Sequence, residues 1–158
     1  HGSTGGIPLV SPILSIIPTP SGDGYWLVAA DGGVFAFGDT RFFGSAAAID
    51  KHGPVIAAAP TRSGNGYWLL SVDGGVFAFG DAAFRGSRID LGTPAVGIAA
   101  APDGSGYWVV RANGGLHAFG APHLGDVVGL DLAGQARAHQ AEMDRTGARA
   151  AGGLAGSL

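Results

Sequence analysis

The sequence contains no cysteine, which excludes disulfide bridges, thiolate metal sites and a cysteine nucleophile. It has one lysine, Lys51, and its nine lysines and arginines are outnumbered by twelve aspartates and glutamates. Because there is no basic run to contact a phosphate backbone, we expect no nucleic-acid partner. No apolar stretch approaches the roughly 20 residues needed to cross a bilayer, so we also expect no membrane span.

Glycine is abundant, at 30 of 158 residues, and the hydrophobic fraction of 46% indicates a folded chain rather than a disordered one. The tripeptide Gly-Tyr-Trp occurs three times, 42 and then 40 residues apart, starting at Gly24, Gly66 and Gly106. The block Asp-Gly-Gly-Val-Phe-Ala-Phe-Gly follows at Asp31 and Asp73, and a variant of it begins at Asn113. Three tandem repeats therefore dominate the chain.

These repeats define the predicted domain organisation. Residues 1–8 form a flexible lead, residues 9–133 form the repeat domain, and residues 134–158 form an Ala- and Gly-rich tail that is helical or irregular. Within the repeat domain, the repeats are placed at residues 12–53, 54–93 and 94–125, with a partial fourth at 126–133.

Each repeat is predicted to form short strands joined by turns. In the first repeat these are Ile13–Ile17, Tyr25–Ala30, Val34–Phe37 and a short fourth strand at Arg41–Gly44, which is copied as Ala83–Gly86. The Asp-Gly-Gly between the second and third strands supplies the positive φ angles of a tight hairpin. Four short strands in about 40 residues are typical of one blade of a β-propeller. We therefore predict an all-β fold of propeller-type blades.

Three repeats and a fraction are too few to close a propeller ring, which has roughly four to eight blades. Three arrangements remain open at this point. Several protomers can join to complete a ring, three four-stranded repeats can form a β-trefoil, or exposed strand edges can pair in an open array or filament. The blade-like hairpin favours the first arrangement.

The string GYWLVAADGGVFAFGDTRFFGS, from Gly24 to Ser45, resembles the tandem GYWLV-x-x-DGGVFAFGD repeats of bacterial secreted and cell-wall-associated proteins. The resemblance covers residues 12–133. In that family the repeats accompany hydrolase domains and are regarded as propeller-like. The resemblance implies a non-catalytic module outside the cell or at the cell surface, without a cofactor, and it names no ligand. The third repeat departs from the pattern, because Gly120-Ala121-Pro122-His123 replaces its Gly-Asp start.

The repeated aromatic pairs and the loops before them are the candidate ligand-binding residues. Because neighbouring strand residues point to opposite faces, one ring of each pair is expected to pack between blades, and the other to face outward where it can stack on a sugar. Packing alone also explains rings that recur in every repeat, and plain tight turns explain the loops. The candidates are Tyr25, Trp26, Tyr67, Trp68, Tyr107, Trp108, Asp23, Asn65 and Ser105.

Catalytic and metal-binding residues are not expected. Asp39 and Asp81 occupy matching positions, but Ala121 replaces them in the third repeat, which favours a turn-capping role over the paired carboxylates of a glycosidase. His117 and His123 have no evident third ligand for a zinc ion.

Two functions fit these features. The first is a non-catalytic extracellular module that binds glycan or cell-wall material, as a homo-oligomer whose repeated weak sites gain avidity. The second is a self-assembling structural or filament subunit without a small ligand, favoured by low charge and by the Ala-rich segments 46–48, 57–59 and 99–101.

Overall fold

A computed structural model of the protein describes residues 2–125, and in that part of the chain it contains β-strands and no helix. The strands are β1 (Ile13–Pro18), β2 (Gly24–Ala29), β3 (Val34–Gly38), β4 (Val55–Pro60), β5 (Gly66–Ser71), β6 (Val76–Gly80), β7 (Ala95–Ala100), β8 (Tyr107–Arg111) and β9 (Leu116–Phe119). The predicted all-β class and the first three predicted strands of each repeat are confirmed.

Each repeat forms its own three-stranded antiparallel sheet, with its strands in chain order. The register is the same in the first two sheets, where Tyr25 lies opposite Phe37 and Tyr67 lies opposite Phe79. Every first strand also has a register shift at the equivalent place, for example between Ile13 and Ser15. The three repeats therefore share one local fold, down to this irregularity.

The hairpin turns follow the predicted chemistry. Gly32 has a φ of +92°, and the Gly33 N–H donates to Asp31 Oδ1 at 2.9 Å. Asn113 accepts the same bond from Gly115 at 2.9 Å in the third repeat. These side chains cap the turn, which explains why aspartate and asparagine exchange there.

The predicted fourth strands, Arg41–Gly44 and Ala83–Gly86, are wrong, because neither segment forms β-structure. We call these two segments, together with residues 121–125 of the third repeat, the connectors. The β-like composition misled the prediction: the connectors make backbone hydrogen bonds to aromatic side chains instead of joining a strand ladder.

Successive sheets pack through their first strands, β1 against β4 and β4 against β7. One backbone bond joins each pair of repeats: the Val55 N–H donates to Ala30 O at 2.8 Å, and the Ala95 N–H donates to Val72 O at 2.7 Å. An apolar core lies at each of the two junctions. The described strands thus contact only their own and the adjacent repeat, as in other repeat proteins.

Within residues 2–125 the sheets do not close into a ring, and all pairings between the named strands lie within one repeat. The trefoil alternative is not confirmed. The predicted partial repeat (126–133) and tail (134–158) lie outside the described residues. No helix in the described part of the chain is long and apolar enough to cross a membrane.

Candidate functional site

Tyr67 occupies the centre of the junction between the first and second sheets. Its side chain is fully buried, and its ring centroid lies 5.3 Å from that of Trp26, 6.0 Å from Phe43 and 5.8 Å from Phe79. The edge-on and tilted geometries are those that aromatic pairs prefer, because they match the negative ring face to the positive ring edge. The junction is therefore built around this ring.

The Tyr67 hydroxyl also holds the first connector. It accepts a hydrogen bond from the Phe43 N–H at 3.2 Å and donates to Gly44 O at 2.5 Å. From the other side, Trp26 Nε1 donates to Arg41 O at 2.8 Å. Burial raises the pKa of Tyr67 above its ordinary value, so the hydroxyl keeps the proton that it donates. The connector is thus fixed by the tryptophan before it and the tyrosine after it.

The second junction repeats this arrangement. The Tyr107 hydroxyl accepts from the Arg85 N–H at 3.1 Å and donates to Gly86 O at 2.6 Å. Trp68 Nε1 donates to Ala83 O at 2.9 Å. Two copies of one geometry indicate that the Gly-Tyr-Trp motif encodes how one repeat attaches to the next.

The lead takes the place of a connector for the first repeat. The Tyr25 hydroxyl donates to Gly2 O, as Tyr67 does to Gly44. A Cβ on Gly2 would lie 2.6 Å from Phe37 Cδ1, so a side chain there would displace either the Phe37 ring or the lead. Sequence reasoning missed this contact although the signal was present, because Gly2 precedes Tyr25 by the same 23 residues that separate Gly44 from Tyr67.

The aromatic candidates divide into two groups. Trp26, Tyr67, Trp68 and Tyr107 are all buried, so their rings offer no free face to a sugar. Tyr25 and Trp108, in the first and last described repeats, are half-buried. At the internal junctions both rings of a pair take part in packing. A stacking role stays a prediction for the two half-buried rings.

The polar candidates lie in the loops that lead into the second strands. Asp23 and Asn65 have exposed side chains, and their carbonyls accept the backbone N–H groups of Asp39 (3.1 Å) and Asp81 (3.0 Å). Ser105 is half-buried, and its N–H donates to Asp103 Oδ1 at 2.9 Å. Their binding role stays a prediction.

A cluster of hydroxyls and one carboxylate stands beside each of the first two loops. In the second repeat, Asp81 accepts hydrogen bonds from Thr61 at 2.7 Å and from Ser63. The first repeat has the same cluster, formed by Thr19, Ser21 and Asp39. The third repeat has Ala101, Asp103 and Ala121 at these positions. Because all three residues change together, the sequence itself contained evidence that they work as a unit.

Two clefts lie beside these clusters, one at each junction. The first, of about 190 Å³, is lined by residues of repeats 1 and 2, including Ser21, Asp39, Thr40 and Asn65. The second, of about 210 Å³, is lined by residues of repeats 2 and 3, including Arg62, Ser63, Trp68, Asp81, Arg85 and Gly104. The same corner of the repeat unit therefore forms a cleft twice.

Arg111 breaks the repeat pattern for a structural reason. It is buried where the other repeats have Ala29 and Ser71, and its guanidinium donates to Thr93 O at 2.5 Å and to Arg88 O. It thus holds the loop that precedes its own sheet, which is the loop shortened in this repeat. Sequence reasoning missed this role because the bonded partners are backbone atoms.

Asp73, in the second hairpin, makes the free energy of unfolding depend on pH in the acidic range. Burial raises the pKa of this carboxyl, but hydrogen bonds from Ser71 and from the Gly75 N–H (3.0 Å) outweigh burial and hold the pKa below its ordinary value. The ionised Asp73 carboxylate therefore stabilises the folded protein above about pH 4, and this stabilisation is lost as the pH falls through the lowered pKa.

Asp73→Asn is expected to flatten the decline in the free energy of unfolding between about pH 5 and pH 2 in urea titrations.

Ser71→Ala removes one of these donors and is expected to reduce the same pH dependence without abolishing it. An Asp73→Asn protein with the acid sensitivity of the wild type would contradict this account.

Comparison with models of known protein families gave no match, and comparison with curated protein sequences gave no significant match. Among residues 2–125 there is no group of three histidine or acidic side chains arranged to hold a metal ion. The geometry of the junctions is therefore the basis for the functional argument.

Proposed function

We propose that this chain is a non-catalytic module of propeller-type repeats that binds glycan or cell-wall material outside the cell, using the clefts at its repeat junctions. One observation carries the proposal: the corner that holds the cluster of hydroxyls and one carboxylate forms a cleft at both described junctions. The resemblance of the repeats to those of secreted and cell-wall-associated proteins supports it. Two neighbouring clefts suit a polymeric ligand, because weak sites gain avidity when they bind one chain together.

The second cleft offers the chemistry that sugar hydroxyls require. Arg62 and Arg85 present several N–H donors, and the Asp81 carboxylate accepts hydrogen bonds. Ala83 and the largely buried Trp68 contribute apolar atoms to the wall. Donors and acceptors beside an apolar surface match a sugar ring, whose edge is polar and whose face is not.

The carboxylates argue for binding rather than hydrolysis. A glycosidase normally places two carboxylates across one site, about 5 to 9.5 Å apart. Among the described residues that line the clefts, Asp39 belongs to the first and Asp81 to the second. Each already accepts hydrogen bonds from a threonine and a serine of its own repeat. Their geometry fits the structural role better than acid or base chemistry.

Titration with soluble cell-wall glycan fragments, followed by calorimetry, tests the proposal. Arg62→Ala is expected to weaken binding by about tenfold, equivalent to the loss of about 1.4 kcal/mol. Arg41→Ala is the matched control, because this exposed arginine lies outside the residues that line the clefts. An absence of binding across a broad glycan panel, or equal losses in both variants, would contradict the proposal.

A second function, as a self-assembling structural subunit, is favoured by a separate observation. Large apolar side chains are exposed on the first strands of the outer sheets: Leu14 is 48%, Ile16 62% and Val96 53% exposed. Apolar side chains grouped on a sheet are more typical of an interface than of a solvated surface.

A further inference from the structure

Each sheet uses one face towards the preceding repeat and the opposite face towards the next, since strand residues alternate. We call these the front and rear faces. The front face of the second sheet, packed on the first, includes Ala58, Tyr67, Leu69, Phe77 and Phe79. Its rear face, packed on the third, includes Ala59, Trp68, Leu70, Val76 and Ala78. The two internal junctions are therefore front-to-rear contacts of one kind.

The outer sheets carry the same residue types on the faces that no described sheet covers. The front face of the first sheet is formed by Ile16, Tyr25, Leu27, Phe35 and Phe37. The rear face of the third sheet is formed by Ala99, Trp108, Val110, Leu116 and Ala118. Both faces are thus built for a junction of the internal kind.

Equivalent side chains are more exposed on the two outer faces than on the faces that form the internal junctions. On the front face, Tyr67 and Leu69 are fully buried, whereas their counterparts Tyr25 and Leu27 are only half-buried. On the rear face the same contrast separates Trp68, which is buried, from Trp108, which is half-buried. The difference lies in the neighbour and not in the side chains.

The third connector keeps the tryptophan bond but makes it one residue earlier: the acceptor lies 14 residues after Trp108, whereas the acceptors of Trp26 and Trp68 lie 15 residues after the ring. Trp108 Nε1 donates to Pro122 O at 2.7 Å, and Gly125 has a positive φ of 107°, as Gly44 and Gly86 do. A Cβ on Gly44 would lie 2.5 Å from the ring of Phe79, but no described atom lies within 4 Å of the same point at Gly125. Among the described residues, none takes the place at Gly125 that the ring of Phe79 takes at Gly44.

We propose that the front face of the first sheet of one copy docks on the rear face of the third sheet of a second copy, reproducing the internal junction between chains. Such a contact joins two different surfaces, so it closes a ring or extends as a filament, depending on the rotation between copies. Two copies would bring six repeats together, within the range of roughly four to eight blades that propellers use. This contact is independent of glycan binding.

The lead competes with this contact. Gly2 O already accepts the hydrogen bond of the Tyr25 hydroxyl, in the position that Gly125 O would take in the docked pair. On docking, the Tyr25 hydroxyl would therefore donate to Gly125 O of the second copy instead of to Gly2 O of its own chain. Gly2→Val, which places side-chain atoms against Phe37, is expected to release the lead and strengthen association.

Light scattering on a sizing column, with the full chain from low micromolar to several hundred micromolar concentration, measures the association. The wild type is expected to reach multiples of 15.7 kDa, and to do so in high salt because both faces are apolar. Ile16→Glu and Ala99→Lys alter exposed residues of the two faces, and each alone is expected to weaken association by at least about tenfold.

An equal mixture of the two variants is expected to restore assembly. In the mixed pair, one junction brings the new carboxylate to the new ammonium, and the other junction is unaltered. Phe84→Glu is the matched control: Phe84 and its counterpart Phe42 are both 59% exposed beside internal junctions, so stacking of repeats does not bury this position.

Three results would overturn the proposal. These are a wild type that stays at 15.7 kDa throughout, single variants that behave like Phe84→Glu, and a mixture that remains dissociated. The first would mean that another segment of the chain covers the faces. A Gly2→Val protein that associates no more strongly than the wild type would overturn the exchange with the lead.

Discussion

Replacing Tyr67 with alanine is expected to lower the free energy of unfolding by about 3–5 kcal/mol, among the largest losses that a single substitution can cause. The ring is fully buried between two sheets and contacts Trp26, Phe43 and Phe79, so its removal leaves a cavity that two rigid sheets cannot close. Urea unfolding followed by circular dichroism measures the loss. A decrease below about 1 kcal/mol would show that the sheets move together and fill the space.

Tyr67→Phe separates the hydroxyl from the ring. It leaves the Phe43 N–H without its acceptor and Gly44 O without its donor, and we expect a loss of about 1–3 kcal/mol. Tyr25→Phe is the matched control, because the hydroxyl of this half-buried tyrosine holds the lead at Gly2 and no internal connector, and its loss is expected to cost about 0.5 kcal/mol or less. Equal effects of the two substitutions would contradict the attachment role of the internal tyrosine.

Replacing Gly66 with alanine is expected to cost more than about 3 kcal/mol or to prevent folding. Gly66 lies opposite Gly80 in the hairpin, and a Cβ there would be 2.5 Å from Phe79 O and 2.7 Å from Asp81 N. Both atoms belong to the backbone that runs along and just past the paired strand, so only separation of the two chain segments relieves the overlap. The first position of the Gly-Tyr-Trp motif is therefore a steric requirement.

Gly22→Ala provides the comparison for this effect. Gly22 has a φ of +81°, but no described atom lies within 4 Å of the point that a Cβ would occupy, so alanine there meets only the backbone cost of about 1 kcal/mol. Denaturation midpoints of both variants, measured in the same buffer, test the difference. A Gly22→Ala protein that is less stable than Gly66→Ala would show that backbone conformation, and not the close approach, limits the motif.

The strands were predictable because their pattern is local. Branched and aromatic residues bounded by Asp-Gly-Gly specify a hairpin whatever lies beside it, and the structure confirms strands β2 and β3 on that basis. The connector at Arg41–Gly44 has an equally β-like composition, but its hydrogen bonds go to Trp26 and Tyr67. Whether a backbone segment joins a ladder depends on its neighbour in space, which the local pattern does not contain.

The candidate site was predictable only in part for the same reason. Residue type identified the aromatic pairs, but not that stacking of repeats buries Trp68 and Tyr107. The cluster of Thr61, Ser63 and Asp81 could be predicted, because all three residues are replaced in the third repeat. The prediction requires a comparison of the positions before the repeated tyrosine with those after it. The bonds of Arg111 to backbone carbonyls had no sequence signal, because any residue can supply a carbonyl.

The attachment of each connector by the following tyrosine bears on how such a chain can gain or lose repeats. A copied segment from Pro54 to Thr93, inserted after its original, would hold the connector before it with its own tyrosine and offer its own connector to the repeat after it. Internal duplication therefore preserves every attachment. Addition at either end instead replaces the repeat that presents an outer face. The number of repeats is thus free to vary in the middle of the array, while both outer faces keep their residues.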